Sequence, residues 1–173
     1  RDWNVDPLLD AMAEGYLAGL TSPDERPPAP SLVSRVRAEN RKPRVEALAE
    51  AARLMEEVSA EERSALVAGI TSYGVERREL DPELPETYFK VKQAGTLRLG
   101  IGSALDRKYL FRVEGPSPAD GDDLLLEAKE VRSLEGISCI HTAQGRSPLR
   151  IMIASTRLSY HPYVHLGYYL GPD

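Results

Sequence analysis

The period of the hydrophobic pattern changes at the segment Asp81-Pro82-Glu83-Leu84-Pro85. Before this breaker, apolar residues recur every three or four positions, the spacing that lines one face of a helix. After it, apolar and polar residues alternate, which is typical of half-buried strands. We therefore expect an α+β chain, with a helical region over residues 1–80 followed by a small, mostly antiparallel sheet with one helix over residues 81–173.

The helical region contains four predicted helices. The first begins at Asp6-Pro7, with Asp6 as the N-cap, and a short second helix runs from Ser31 to about Asn40. Pro43 starts the third, whose apolar face extends to Met55. The fourth opens with Ser59-Ala60-Glu61-Glu62, a capping-box pattern. Four prolines in residues 21–30 indicate a loop after the first helix.

The second half of the chain is predicted to form an antiparallel meander, because its alternating stretches are short and closely linked. A turn-rich loop over Gly115–Asp123 separates two of the strands. Pro148 begins a predicted helix that ends near Tyr160. The predicted strands contain Phe89 with Val91, then Leu97–Ile101, Tyr109–Val113, Leu124–Val131 and finally Val164–Leu170.

Length and composition indicate an ordinary soluble protein. The chain has 173 residues, enough for one domain or one domain with a helical extension, and a net charge of −5. Apolar stretches such as Leu124–Leu126 are far shorter than the roughly 20 residues of a membrane span, so no membrane partner is expected. The single cysteine, Cys139, excludes an internal disulfide and favours a reducing, cytoplasmic location.

The most distinctive local motif is Gly100-Ile101-Gly102-Ser103, which lies between two predicted strands. Glycines let backbone amides approach phosphate oxygens closely. A dinucleotide-binding fingerprint requires a helix directly after the glycines, whereas Lys108–Val113 follows a strand pattern. The alternatives that remain are a phosphate-covering turn and a hairpin loop that simply needs glycine.

A second motif is the apolar strand Leu124–Lys129, which ends in a lysine. Strand, glycine turn, strand, loop and lysine-bearing strand is the order found in the small lobe of protein-kinase-like enzymes, where the lysine pairs with ATP phosphates. A buried lysine there would require an anionic partner. The alternative is that Lys129 extends into solvent between Glu127 and Glu130.

The chain from about Pro85 to Asp173 resembles the uncharacterised bacterial family named domain of unknown function 2252. The residues that carry the resemblance are Tyr88-Phe89-Lys90-Val91, Gly100-Ile101-Gly102-Ser103, Arg107-Lys108-Tyr109-Leu110, Glu114-Gly115 and Leu125-Leu126-Glu127-Ala128-Lys129-Glu130. The resemblance implies a protein-kinase-like fold related to small-molecule phosphotransferases. It also implies that the catalytic His and Asp stretch and the metal-binding Asp segment come earlier in the full protein.

On this resemblance, the chain is a segment that covers a nucleotide and lacks the catalytic half, in keeping with its start at Arg1 without a methionine. ATP with Mg²⁺ is the expected cofactor, and Gly100, Gly102, Ser103 and Lys129 are the expected cofactor-binding residues. We expect no catalytic residue and no metal ligand within the chain, and an unknown small-molecule acceptor. The isolated chain should be inactive.

Two departures from the kinase pattern favour an alternative, a non-catalytic binding or assembly module that retains the fold. Leu105 replaces the third glycine, and Glu127 replaces a small apolar residue that would face adenine. Moreover, Arg146–Tyr160 contains no carboxylate that could pair with the lysine.

Two other kinds of site have weaker support. Cys139, His141, His161 and His165 offer ligand types that suit zinc, but Pro162 interrupts the His161–His165 pair. Arg35, Arg37 and the run Arg41-Lys42-Pro43-Arg44 could contact nucleic-acid phosphates. However, the net charge is negative and no aromatic residue lies among them, so a solvated helix face is favoured and no nucleic-acid partner is expected.

Overall fold

The α+β class is confirmed by the computed structural model, which describes residues 5–22, 31–97, 107–131, 134, 138–139, 147–158 and 163–171. These residues form five helices and one four-stranded antiparallel sheet. The chain divides into two compact units, Arg1–Arg41 and Lys42–Asp173. The third and fourth helices belong to the second unit together with the sheet.

The first unit contains two helices, α1 (Asp6–Thr21) and α2 (Ser31–Glu39). Pro7 lies in the first turn of α1, where its missing N–H costs nothing. The N-cap is Val5, which makes no side-chain cap bond, so the assignment of Asp6 as the cap was wrong. Asp6 instead lies in the first turn, near the positive end of the helix dipole. Neither helix contains a buried residue.

The second unit consists of three helices and an antiparallel meander in the order β1-β2-β3-β4. Its elements are α3 (Arg44–Ala52), β1 (Met55–Glu56), α4 (Ala60–Leu80), β2 (Val91–Leu97), β3 (Lys108–Val113), β4 (Leu124–Lys129) and α5 (Ser147–Leu158). A 3₁₀ turn, Asp120–Asp122, precedes β4 within the predicted loop. Ser59 is confirmed as the N-cap, since its hydroxyl accepts a hydrogen bond of 3.1 Å from the Glu62 amide, while the Glu62 carboxylate accepts one of 2.8 Å from the Tyr109 hydroxyl.

The hydrophobic core lies between α4 and one face of the sheet. Alternation places one set of strand side chains on this face and the other set on the opposite face, called the open face because Glu127 and Lys129 are exposed on it, although Leu110 there is buried. Leu66, Ile70 and Tyr73 of α4 meet Phe111 and Val113 of β3, both of which have no exposed surface. On β4, Leu124, Leu126 and Ala128 also pack against this core, while Leu125, Glu127 and Lys129 are exposed.

Several predicted elements differ in the structure. Phe89 with Val91 and Leu97–Ile101 were predicted as two strands, whereas Phe89 lies in a turn with φ of 73° and one strand, β2, runs from Val91 to Leu97. The third helix ends at Ala52, and Met55 lies in β1, where it pairs with Leu97. The last predicted strand, Val164–Leu170, adopts turn and irregular backbone. Its carbonyl groups accept hydrogen bonds from side chains of α4 rather than from a sheet edge, as described below. Of the predicted strand Leu97–Ile101, only Leu97 falls among the described residues, as the last residue of β2.

Candidate functional site

Lys129 is an exposed side chain at the end of β4. It lies on the open face of the sheet together with Glu127. Lys129 therefore extends into solvent, as in the second of the two interpretations of this lysine. Because Lys129 is exposed, no cost of burying its charge requires it to have an anionic partner. Its position on the sheet is the feature that bears on ligand binding.

That position is the end of the sheet at which the glycine-containing segment leaves and returns. Strand β2 ends at Leu97 and β3 begins at Lys108, so both ends of segment 98–107 lie there. Lys108 is the direct register partner of Lys129. Gly100, Gly102 and Ser103 themselves lie outside the described residues, as does Leu105.

The Lys108–Lys129 pair places two like charges opposite each other on neighbouring strands, an arrangement that is destabilising by itself. Glu127 lies opposite Leu110, one pair further along the open face. Within the described part of the chain, Glu127 and Lys129 form no ion pair with each other. This end of the sheet can therefore offer positive charge to an anion, with one carboxylate nearby.

A buried ion-pair network, which sequence reasoning missed, fixes the opposite end of the β3–β4 hairpin. Asp123 has no exposed surface, and its two carboxylate oxygens lie 2.7 Å from Lys92 Nζ and 2.6 Å from Arg112 Nε. Lys92 Nζ also lies 3.0 Å from Asp120 Oδ1, and Arg44 donates a bond of 2.7 Å to the Asp123 carbonyl. The hydrogen bond to Asp123 raises the pKa of Lys92, and Lys92 lowers the pKa of Asp120.

The partners of this network indicate a structural role. Two cations, Lys92 and Arg112, meet two carboxylates, Asp120 and Asp123, while the guanidinium of Arg44 bonds to a backbone carbonyl. The network ties β2, β3 and the loop before β4 to one another. The sequence shows Lys92 and, just before β4, Asp123, but no local pattern indicates that they pair. Their contact depends on a fold that brings distant parts of the chain together.

A second missed cluster joins segment 163–171 to α4. The Tyr73 hydroxyl donates a bond of 2.7 Å to the His165 carbonyl, and Arg77 donates one of 3.3 Å to the Val164 carbonyl. The Tyr88 hydroxyl lies 3.5 Å from His165 Nε2, and the Phe89 ring meets the imidazole edge-on at 5.3 Å. Burial, followed by the charge of Arg77, lowers the pKa of His165.

The same segment is held by a reciprocal fit of tyrosines over glycines. A side chain at Gly69 of α4 would collide with the Tyr169 ring, and one at Gly167 would lie 2.5 Å from the Tyr73 ring. Each ring thus occupies the space that a missing Cβ leaves on the partner segment. The His165 imidazole packs beside Tyr88 and Phe89 within the same contact.

The hypothetical zinc site is not assembled by the described residues. Cys139 is exposed, His165 packs against Tyr88 and Phe89, and His141 and His161 lie outside the described residues. No group of three His, Cys, Asp or Glu side chains in the described ranges is placed to hold a metal ion. Likewise, none of the described helices combines the length and apolarity needed to cross a membrane.

An open cavity of about 210 Å³ lies where β1 and β2 meet the start of α4. This volume is below the roughly 300 Å³ at which small-molecule sites usually begin. The polar side chains that line it are acidic, basic and amide side chains, namely Glu56, Glu57, Arg63 and Gln93. The lining residues are Met55, Glu56, Glu57, Val58, Arg63, Gln93 and Ala94.

Comparison of the chain with protein-family models, with curated proteins and with solved structures returns no match.

Proposed function

We propose that the meander β2-β3-β4 is the nucleotide-covering part of an ATP-dependent, kinase-like phosphotransferase. In this proposal, the glycine segment with Gly100, Gly102 and Ser103 covers the phosphates of ATP, and Lys129 contacts them. The observation that supports it is the position of Lys129 at the end of the sheet where segment 98–107 leaves and returns, in register with Lys108.

The chemistry of this sheet end suits phosphates better than it suits adenine. Lys129 is an exposed cation at this end, and an anion that binds beside it gains a favourable charge interaction. Glu127, by contrast, would bring a carboxylate toward the base, and burying it without a partner costs free energy. We therefore assign the phosphate part of the nucleotide, rather than the base, to this segment.

The described residues show no ligand set for Mg²⁺. Magnesium would accompany ATP and neutralise phosphate charge, and the side chains that hold it would lie outside the described residues. What the chain itself contributes is phosphate binding and orientation.

The test is a titration of the chain with MgATP, in which binding is measured by calorimetry and by the shift of the melting temperature. Lys129→Ala should weaken binding about ten- to a hundredfold, because a hydrogen bond to a charged group contributes about 1.5–3 kcal/mol. Lys90→Ala is the matched control, since Lys90 is an exposed lysine just before β2, at the opposite end of the sheet. Equal affinity in wild type and Lys129→Ala would remove the lysine from the site.

A second candidate function is a binding or assembly module without ATP chemistry. Glu127 on the open face supports it, and so do the exposed apolar side chains of α1. A wild-type chain that shows no response to MgATP would favour this candidate over the first.

A further inference from the structure

Segment 163–171 is held to α4 by side chains and not by pairing with a strand. Tyr73 and Arg77 of α4 donate hydrogen bonds to two of its carbonyl groups. Among the described residues, the only backbone–backbone hydrogen bond of the segment is internal and joins the Leu166 amide to the Tyr163 carbonyl. A segment that is held in this way can detach without unpairing any strand of the sheet.

The hydrophobic core does not depend on this segment. Its buried side chains come from α4, the sheet and the turn before β2, and Tyr169 is the residue of the segment that packs against them. Most of the other side chains of the segment are exposed, namely those of Tyr163, Val164, Tyr168 and Leu170. Detachment would therefore leave the packing between α4 and the sheet in place.

The imidazole of His165 is the group that can make this contact reversible. Its Nε2 lies 3.5 Å from the Tyr88 hydroxyl, whereas its Nδ1 is buried and has no hydrogen-bond partner among the described residues. A neutral imidazole can leave Nδ1 without a proton, but the imidazolium carries a proton on both nitrogens. Protonation in the docked position would therefore bury a positive charge and an N–H donor that has no acceptor.

The charged and titratable groups around this imidazole come from α4 and from the turn before β2. They are Tyr73, Arg77 and Tyr88, and the carboxylates of Asp81 and Asp122 act by charge on Tyr88. Burial, followed by the charge of Arg77, lowers the pKa of His165. Within the described part of the chain, no carboxylate forms an ion pair with the imidazole. The surroundings thus disfavour the imidazolium without offering it a counter-ion.

The imidazole also contacts a strained residue. Phe89 has a φ of 73°, in the left-handed region that a bulky side chain rarely adopts. Its ring meets those of Tyr73, Tyr88 and His165 edge-on, with centroids 5.0, 4.6 and 5.3 Å away. A strained conformation persists only where its surroundings determine it. Removal of His165 takes away one of these three ring contacts, so the turn before β2 is coupled to the docking of the segment.

We propose that segment 163–171 is an acid-released strap: a proton on His165 detaches it from α4, while the core between α4 and the sheet stays folded. Detachment uncovers Gly69 and Tyr73 on α4, which the segment covers at neutral pH. The device acts through one side chain, because His165 is the histidine of the segment.

The expected size of the effect follows from proton binding. With the segment detached, the His165 imidazole is exposed to water and binds a proton with the ordinary pKa of about 6.5, whereas the docked imidazole stays neutral to lower pH. The detached state therefore gains stability relative to the docked state as the pH falls below about 6.5. Between about pH 7.5 and about pH 5.5 the detached population should increase by up to about tenfold.

Two glycines of the contact can report detachment directly. The Tyr169 ring lies over Gly69 and the Tyr73 ring over Gly167, so ring currents shift the Hα signals of both glycines in the docked state. In a chain labelled with ¹³C-glycine, saturation-transfer NMR measures the minor state in which these shifts are lost. Gly95 is the internal control, because the atoms nearest to its missing Cβ belong to Glu56 and Met55 and not to a ring.

The detached population at Gly69 and Gly167 should rise as the pH is lowered, while Gly95 shows no such state. His165→Gln should abolish the rise, because an amide does not titrate, and His141→Gln is the matched control that should retain it. A wild-type population that does not change with pH, or an equal rise in His165→Gln, overturns the proposal. An equal rise at Gly95 overturns it as well, since the whole unit would then be unfolding.

The ring signals of His165 give a second measurement that needs no substitution. In the wild-type chain, their titration midpoint should lie below about 6.5 and should coincide with the change at Gly69. A midpoint at or above this value would contradict the proposed release. None of these readouts involves a nucleotide, so the strap and the proposed ATP site are tested separately.

Discussion

Asp123 carries the most deeply buried charge of the described residues. Its side chain is closed to solvent, and the two cations that face it, Lys92 and Arg112, have side chains only 24% and 18% exposed. A buried carboxylate is tolerated when both oxygens are paired, and removing one partner of such a set leaves uncompensated charge. This residue therefore holds the hairpin loop more firmly than any exposed ion pair of the chain.

We predict that Asp123→Asn lowers the free energy of unfolding by about 2–4 kcal/mol, because the neutral amide leaves Lys92 and Arg112 without their shared anion. Urea denaturation followed by circular dichroism measures the change. Asp120→Asn is the control, since Asp120 contacts the same two cations but is 72% exposed, and exposed pairs contribute little. Similar losses in both variants would contradict the assignment of Asp123 as the centre of the network.

Individual residues differ in how far the sequence predicts them. Ser59 was predicted and confirmed as a cap, because a cap depends only on residues three positions apart. Lys129 was placed correctly at a strand end, but its environment was open to two interpretations because exposure depends on what else covers the sheet. The Asp123 network and the His165 contacts join residues far apart in the chain, so no local pattern predicts them.

At the scale of elements, β1 is notable because only two residues form it. Its close pairing with β2 depends on Gly95, where an added Cβ would lie 2.5 Å from the Glu56 carbonyl oxygen and 2.9 Å from Met55 Cβ. Backbone atoms cannot move aside as a flexible side chain can. The glycine thus sets how closely this edge strand approaches the sheet.

We expect Gly95→Ala to displace β1 and lower the free energy of unfolding by about 1–3 kcal/mol, the usual range for overpacking. The matched control is Gly121→Ala, since the nearest neighbour of an added Cβ there is Val45 Cγ2 at 3.7 Å, an ordinary contact. Amide hydrogen exchange of Met55 and Glu56 would report the displacement directly. If the Gly95→Ala variant were as stable as wild type, with these amides unchanged, the close approach would not be a constraint.

The sequence predicted best those strands whose pairing partner is the neighbouring strand in the chain. Strands β3 and β4 each pair with the preceding strand along the chain, so alternation and turn residues were sufficient there, whereas β2 runs from Val91 to Leu97, between two stretches that were predicted as separate strands. Val164–Leu170 shows the same alternation, yet its partner is α4 and not a strand. An alternating pattern reports that a segment has a buried side, and does not report what lies against that side.

At the scale of the whole molecule, the contact between segment 163–171 and α4 makes stability depend on pH. His165 is held neutral by burial and by Arg77, so its pKa is lower in the folded state than in the unfolded state, where it is about 6.5. The unfolded state then binds more protons at low pH. The stability that the neutral imidazole contributes is complete above the unfolded pKa and is lost as the pH falls toward the folded value.

We therefore predict that the free energy of unfolding decreases as the pH falls from about 7.5 to about 5.5, a range that spans the unfolded pKa, and that His165→Gln flattens this decrease. Denaturant unfolding at several pH values measures the difference between the two proteins. His141 and His161 are present in both, so their titration cancels in the comparison. Parallel pH profiles would show that His165 is not desolvated in solution.

The reciprocal fit of Tyr73 over Gly167 and Tyr169 over Gly69 has a consequence for the order of folding. Strands β2, β3 and β4 find their partners a short distance along the chain, whereas the tyrosine–glycine contacts join α4 to a segment beyond the whole meander. Bringing the segment to α4 closes a long loop, which costs conformational entropy. Contacts with α4 can offset this cost only once α4 is already packed on the sheet. We therefore expect the meander to form early in the folding reaction and segment 163–171 to dock onto α4 in a late step.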